Sequence, residues 1–337
     1  MSRTAFSGIR APLWRWRSLG FGLVLLACAL LQGRPTLAED APVLRLGLVK
    51  FGSGAWLVDE MRQRDLAALS LQTQDLANPA GGEVALQAGA VDAILSDLLW
   101  VARQRHAGQK LIFIPRSSAL GEVLVPTGSD ITSVAQLAGH KIGIAGGPLD
   151  KSWLLLRAYG QKVLGYDLAD KITPVYGAPP LLSQELAAGR IDAVLTYWPF
   201  AARLSVQGAK PLLSVAEMVR GLGLTEAVPV MGFAVRQDWA EAHPAALAAF
   251  VAAAQAADHR LLTQDEAWQR LRPLLAAETD AAALALRDRY RGGIMLSERA
   301  NLDHLHQLYH ILAIIGGPTL TGGATDLPDG TVWMTGP

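Results

Sequence analysis

Cysteine is nearly missing from this chain of 337 residues: the one copy, Cys28, lies inside an N-terminal apolar stretch. The rest of the sequence therefore has no thiol for disulfides, nucleophilic catalysis or thiolate metal binding. Net charge is missing too, since 30 Lys and Arg balance 30 Asp and Glu. No basic cluster occurs beyond the first forty residues, which argues against a nucleic-acid partner. After the N-terminal stretch, no apolar run reaches the ~20 residues a membrane-spanning helix needs. Catalytic signatures are absent as well: there is no Gly-x-Ser-x-Gly, no Gly-x-Gly-x-x-Gly, and no carboxylate pair whose spacing demands acid–base chemistry. No enzyme activity and no cofactor are expected on these grounds.

What is present begins with an export signal. Arg3, Arg10, Arg15 and Arg17 precede the apolar run Leu19 to Leu31, and Thr36-Leu37-Ala38 offers small residues for cleavage. Residues 1–38 are read as a signal peptide cleaved near Ala38, giving a periplasmic protein. Leu25-Leu26-Ala27-Cys28 resembles a lipoprotein processing box, but Ala29-Leu30-Leu31 continues the apolar run, which disfavours lipidation at Cys28.

The remaining chain carries an internal repeat. Ala88-Gly89-Ala90-Val91-Asp92-Ala93-Ile94-Leu95-Ser96 returns one hundred residues later as Ala188-Gly189-Arg190-Ile191-Asp192-Ala193-Val194-Leu195-Thr196, and Ala102-Arg103 and Gly108 recur as Ala202-Arg203 and Gly208. The period is too long for a solenoid, whose repeats run about 20 to 50 residues. It predicts two lobes built alike, with Asp92 and Asp192 as structural residues at strand starts. Helical segments alternate with short apolar strands, and no hairpin signals separate them, so the expected class is α/β with parallel sheets covered on both faces.

The expected organisation is a discontinuous lobe one (residues 39–120 plus 233–337), ending in a helical C-terminal region, and a lobe two (residues 121–232). Two chain crossings would form a hinge at Gly121 and Gly232, although both could simply be small residues between strands.

Ligands in such folds bind beyond the carboxyl ends of strands, which directs attention to the strand-end loops. Phe51-Gly52-Ser53-Gly54-Ala55-Trp56 offers backbone amides, the Ser53 hydroxyl, close approach at Gly54 and a flat wall at Trp56, against the plain alternative of a core tryptophan. Ser96-Asp97 can face the cleft or simply cap the next helix. Gly146-Gly147-Pro148-Leu149-Asp150-Lys151-Ser152 is not a phosphate loop, because Asp150 stands where glycine is required before the lysine. It can still hold a polar group at a helix start through Ser152, with Asp150 a helix-capping residue and Lys151 a solvated charge on the plain reading. Tyr197-Trp198-Pro199 supplies aromatic surface, while Ser117-Ser118 and Gly177-Ala178-Pro179-Pro180 complete the loops. His306 and His310 are spaced i,i+4 beside His304 and Asp303, but without an HExxH pattern they read as a solvated helix face, and no metal is expected.

The export signal, the doubled Ala-Gly-x-x-Asp-Ala unit, the Gly146-Gly147-Pro148 turn and the discontinuous lobe with its helical C-terminus together resemble the type II periplasmic solute-binding proteins of ABC transporters. The resemblance is to the nitrate, sulfonate, taurine and thiamine-precursor uptake group. It implies two Rossmann-like lobes with a hinge and interlobe cleft, and a monomeric receptor that closes on a small ligand. It further implies delivery to the membrane permease and ATPase of an importer. Carried over by position, the implied site uses Ser53, Gly54, Trp56, Ser96, Asp97, Gly146, Ser152, Tyr197 and Trp198, with Gly147 and Ser117 in the neighbouring loops. This chain departs from a simple anion receptor, because these loops hold no arginine and Asp97 and Asp150 lie beside the expected ligand. A small organic ligand, aromatic or zwitterionic, is expected instead. The alternative is an enzyme on the same fold, resembling thiamine-pyrimidine synthases or menaquinone-pathway lyases.

Overall fold

The computed structural model describes residues 41–49, 52–64, 66, 68–224, 226–294 and 301–333. The export signal over residues 1–38, with Cys28, lies outside the described residues. The chain begins with β1 (Val43–Val49), α1 (Ser53–Met61), β2 (Ser70–Leu76), α2 (Pro79–Gln87), β3 (Ala93–Asp97), α3 (Leu98–His106) and β4 (Leu111–Ser117). It then crosses into β5 (Gly121–Val125), β6 (Lys141–Ala145), α4 (Lys151–Tyr159), β7 (Thr173–Gly177), α5 (Pro179–Ala187), β8 (Ala193–Tyr197), α6 (Trp198–Val206), β9 (Lys210–Ser214) and α7 (Val215–Gly221). It returns through β10 (Met231–Arg236) and ends in α8 (Gln237–Ala242), α9 (Pro244–Thr263), α10 (Asp265–Leu271), α11 (Asp280–Gly293) and α12 (Leu302–Thr321).

Two five-stranded sheets result, ordered β2-β1-β3-β10-β4 and β7-β6-β8-β5-β9. They are not wholly parallel, which corrects the sequence-based expectation. β10 runs antiparallel to β3 and β4, and β5 antiparallel to β8 and β9. The register gives the reason. β5 starts with Gly121 opposite Tyr197, and β10 starts with Met231 opposite Asp97. Each returning strand therefore enters its sheet at the carboxyl end of a repeat strand and must run backwards. Both crossings consequently lie at the carboxyl ends of the repeat strands.

The repeat acquires a physical explanation here. Asp92 Oδ2 accepts from the backbone N–H of Arg45 at 2.9 Å, and Asp192 Oδ2 accepts from that of Lys141 at 2.8 Å. In both lobes the aspartate's own N–H donates back to the same residue's carbonyl. One side chain thus fastens the start of each repeat strand to its parallel neighbour, far from the cleft. Gly89 and Gly189 end the preceding helices with φ of +71° and +65°, a left-handed conformation that glycine adopts without strain.

The C-terminal helices join the two lobes. α12 packs on both α3 and α4, and α11 packs on α6. Leu305, Leu308, Tyr309 and Leu312 of α12 are buried in one cluster with Val101 of the first lobe and Leu154 of the second. Burial of this kind stabilises by about 25 cal/mol per Å² of apolar surface, so the shared cluster holds the two lobes in contact.

Candidate functional site

Between the lobes lies a cavity of about 380 Å³. One side is formed by Ser53 and Gly54 at the start of α1, Glu83 on α2, and Ser96 and Asp97 at the end of β3; the other by Lys151 and Ser152 at the start of α4, and Tyr197 and Trp198 at the start of α6. Leu120 and Met231, from the two chain crossings, also border it. The crossings are tied to the site by matching bonds: Leu98 N–H donates to Val230 O, and Trp198 N–H donates to Leu120 O, each at 2.9 Å. The two lobes therefore present equivalent strand-to-helix turns across one cleft.

The central polar contact spans the lobes. Lys151 Nζ donates to Asp97 Oδ2 at 3.3 Å, while Asp97 Oδ1 accepts from the N–H of Trp100 at 2.9 Å and so caps α3. Asp97 thus has both roles weighed from the sequence. Burial opposes the Lys151 charge, but Asp97 and Asp150 beside it outweigh burial and hold the ammonium more firmly protonated than usual. Reading Lys151 as a solvated charge is therefore corrected: its side chain is 18% exposed and lines the cavity.

Asp150 is the helix cap that its position suggested. Its Oδ1 accepts from Ser152 N–H at 2.9 Å, and its Oδ2 accepts from the Tyr197 hydroxyl at 3.1 Å. Burial, then the nearby Asp150 charge, pushes the Tyr197 phenol upward, so it stays a neutral donor. Gly146 has φ of +90°, and a Cβ there would lie 2.7 Å from the Tyr197 hydroxyl. Gly146 makes room for the Tyr197–Asp150 contact, and neither it nor Gly147 borders the cavity. Ser152 does border it; this residue is 2% exposed, and its hydroxyl has no partner among the described residues.

Two further expectations meet a different arrangement. Trp56 is 2% exposed and is not a ligand wall. Its Nε1 donates to Leu274 O at 3.1 Å, and its ring packs edge-on against Trp198 and Trp268, each with centroids 5.9 Å apart. The helices after residue 265 cover it, a long-range event that its neighbours in sequence do not encode. It supports Trp198, which does face the cavity, from behind. Ser117 is likewise withdrawn, since its Oγ donates to Gly293 O at 3.0 Å and ties β4 to the end of α11.

At Gly121 and Gly232 no side chain fits: a Cβ would lie 2.1 Å from Thr196 O in the first case and 2.0 Å from Ile114 O in the second. Of the histidines, His304 Nδ1 lies 3.4 Å from Glu226 and His310 Nδ1 lies 3.8 Å from Asp326. No metal-holding group of three or more His, Cys, Asp or Glu occurs among the described residues.

Glu83 and the crossing residues Leu120 and Met231 went unread in the sequence. A signal for Glu83 existed: the repeat places Ser183 at its counterpart, so the two copies diverge at this helix position.

Two α/β lobes, two crossings at the strand ends and a cavity between them define the type II periplasmic binding protein fold. The chain belongs to the NMT1/THI5-like family, whose model matches residues 67–267. Among curated protein sequences, none matches the chain significantly. Solved structures share its fold. The periplasmic aliphatic sulphonate binding protein SsuA from Escherichia coli superposes with a TM-score of 0.70 at 20% identity, covering 87% of this chain and 92% of that one. The alkanesulfonate-binding protein SsuA from Xanthomonas axonopodis pv. citri, bound to MOPS, gives 0.67 at 21% identity, covering 88% and 100%. The desulfurization enzyme DSZB also matches, with a TM-score of 0.53 at 16% identity over 81% and 91% of the two chains.

Proposed function

We propose that this protein is an extracytoplasmic solute receptor that closes its two lobes on a small organic ligand and presents the closed form to an ABC permease. Lobe one (residues 39–120 plus 233–337) would move against lobe two (residues 121–232) about the crossings near Gly121 and Gly232. One observation carries the reading: polar groups from both lobes, Ser53 and Asp97 on one side and Lys151 and Ser152 on the other, border one cavity. A ligand shifts an open–closed equilibrium only by binding one state better, and contacts from both lobes supply that difference. The binding proteins among the fold neighbours support this reading.

Calorimetry on the unliganded protein tests it. Ser53→Ala and Trp198→Ala, on opposite lobes, should each weaken binding of the same compound, and scattering should show compaction on binding. If neither substitution changes affinity while the fold persists, the cavity is not the ligand site.

The DSZB likeness motivates an enzyme as the second reading. With Cys28 the sole cysteine of the sequence, a thiol nucleophile is unavailable in the described residues, and turnover of any bound compound by the purified protein would favour this alternative.

A further inference from the structure

We infer that the cleft selects a ligand bearing a protonated amine, received by Glu83 and Asp97, with Glu83 setting the preference. This rests on the receptor reading above and names the chemistry of its ligand.

The argument starts from charge already in use. Asp150 is occupied by the Ser152 amide and the Tyr197 hydroxyl. Lys151, the cation bordering the main cavity, is occupied by Asp97. Glu83 borders both this cavity and an adjoining recess of about 200 Å³, which Asp97, Arg103 and Lys151 also line. Yet its carboxylate has no hydrogen bond or ion pair among the described residues. An anion placed here would add charge beside Glu83 and Asp97, whereas an ammonium would meet a carboxylate that no described residue contacts directly. Burial first, and the Asp97 charge second, raise the Glu83 carboxyl above its ordinary range, with Arg103 and Lys151 too weak to cancel them, and an incoming cation would add to that opposing charge.

A second observation points independently to a ligand. The Ser152 hydroxyl is buried, unpartnered among the described residues and on the opposite wall. A buried hydroxyl without a partner is costly, so it is matched to an acceptor on the ligand. Between these polar ends, Leu95, Trp198 and Met231 offer apolar surface. The ligand so described has an ammonium end, a short apolar body and a hydrogen-bond acceptor. The carboxylate belongs to lobe one alone, because the repeat counterpart Ser183 turns its hydroxyl back onto Pro179 O at 2.9 Å.

The test is calorimetry on the unliganded chain with three probes: benzylamine, a cation; taurine, a zwitterion; and butanesulfonate, an anion. The two amines should bind at least about tenfold more tightly than butanesulfonate. Glu83→Gln should weaken the amines by about tenfold, the order expected for losing one charge-assisted hydrogen bond. Circular dichroism and the unliganded melting temperature check that the variant folds. The inference is overturned if butanesulfonate binds as tightly as the amines, if Glu83→Gln leaves amine affinity unchanged, or if no probe binds. Should butanesulfonate bind as tightly as the amines and lose affinity in Ser53→Ala and Trp198→Ala, the receptor reading stands and the amine inference alone falls.

Discussion

Lys151 on one lobe and Asp97 on the other meet across the cleft with Nζ and Oδ2 3.3 Å apart. The pair joins two strand-to-helix turns that the internal repeat relates only indirectly, since the counterpart of Asp97 is Tyr197. It places a charged contact at the wall of the cavity.

Asp97→Asn keeps a helix-capping side chain and removes the carboxylate, so the fold should persist. Lys151 would then lose the largest influence that opposes its burial, and its ammonium would give up its proton more easily. Acylation by an amine reagent at mildly alkaline pH, followed by mass spectrometry, should label Lys151 faster in the variant than in the parent. Equal labelling rates would show that the pair does not persist in solution.

Trp56 holds its place by packing rather than by ligand contact. Trp56→Ala should destabilise the protein by about 3–5 kcal/mol in urea titration, the range for removing a large buried aromatic. Trp198, half-buried over the cavity with its ring 6.2 Å from Tyr290, should cost less stability when changed to alanine and more ligand affinity. Were Trp56→Ala neutral for stability, the aromatic cluster behind the cleft would be misplaced.

Gly121→Ala and Gly232→Ala each drive a methyl group into a carbonyl oxygen of the adjoining strand. Relief requires movement of sheet backbone, and a loss of about 3 kcal/mol or more is expected, at the upper end of ordinary overpacking. Thermal melts of the two variants, both falling well below the parent, would confirm the tight strand contact at the crossings.

The Arg116 guanidinium lies buried against Asp258, with Nε donating to Oδ2 at 2.8 Å, and the Tyr290 hydroxyl donates to Asp258 Oδ1 at 2.8 Å. Burial opposes the Arg116 charge, and Tyr290 and Asp258 more than compensate. Asp258→Ala would leave the cation buried and unpaired, a loss of about 3–5 kcal/mol in chemical denaturation. A loss under about 1 kcal/mol would mean that water reaches this network and screens it.

Acid sensitivity should trace in part to Asp167. Burial works against its charge, but bonds from Arg157 and from the Ala169 amide hold its carboxyl below the ordinary 3.8. Because the folded value lies below the unfolded one, its contribution is complete above the unfolded value and disappears as pH falls through the folded one. The stability gap between the parent and Asp167→Asn, measured in urea, should therefore be constant near neutrality and shrink in acid below about pH 4. A gap independent of pH would assign the effect to packing.

Periodicity made the secondary elements readable. The helix α2, for instance, opens where Asn78 caps it and Pro79 suits a first helical turn. The parallel expectation for the sheets failed at β5 and β10, since strand direction depends on where a crossing enters and no local residue pattern records that. Site residues divided in the same way. Ser53, Ser96, Asp97, Ser152, Tyr197 and Trp198 line the cavity as their strand-end positions suggested. Trp56 and Ser117 do not, having been claimed by helices about two hundred residues further along.

The sequence by itself determined the two-fold plan, the structural placing of Asp92 and Asp192 at strand starts, and the loops from which a site could be built, because these follow from local chemistry repeated at a fixed spacing. The tertiary structure decided which side chains meet. Lys151 faces Asp97, Trp56 lies behind Trp198, and Glu83 stands without a partner among the described residues; each outcome depends on how two lobes and a C-terminal set of helices close on one another. Distances across a cleft are set by packing between remote segments, and no spacing along one chain specifies them.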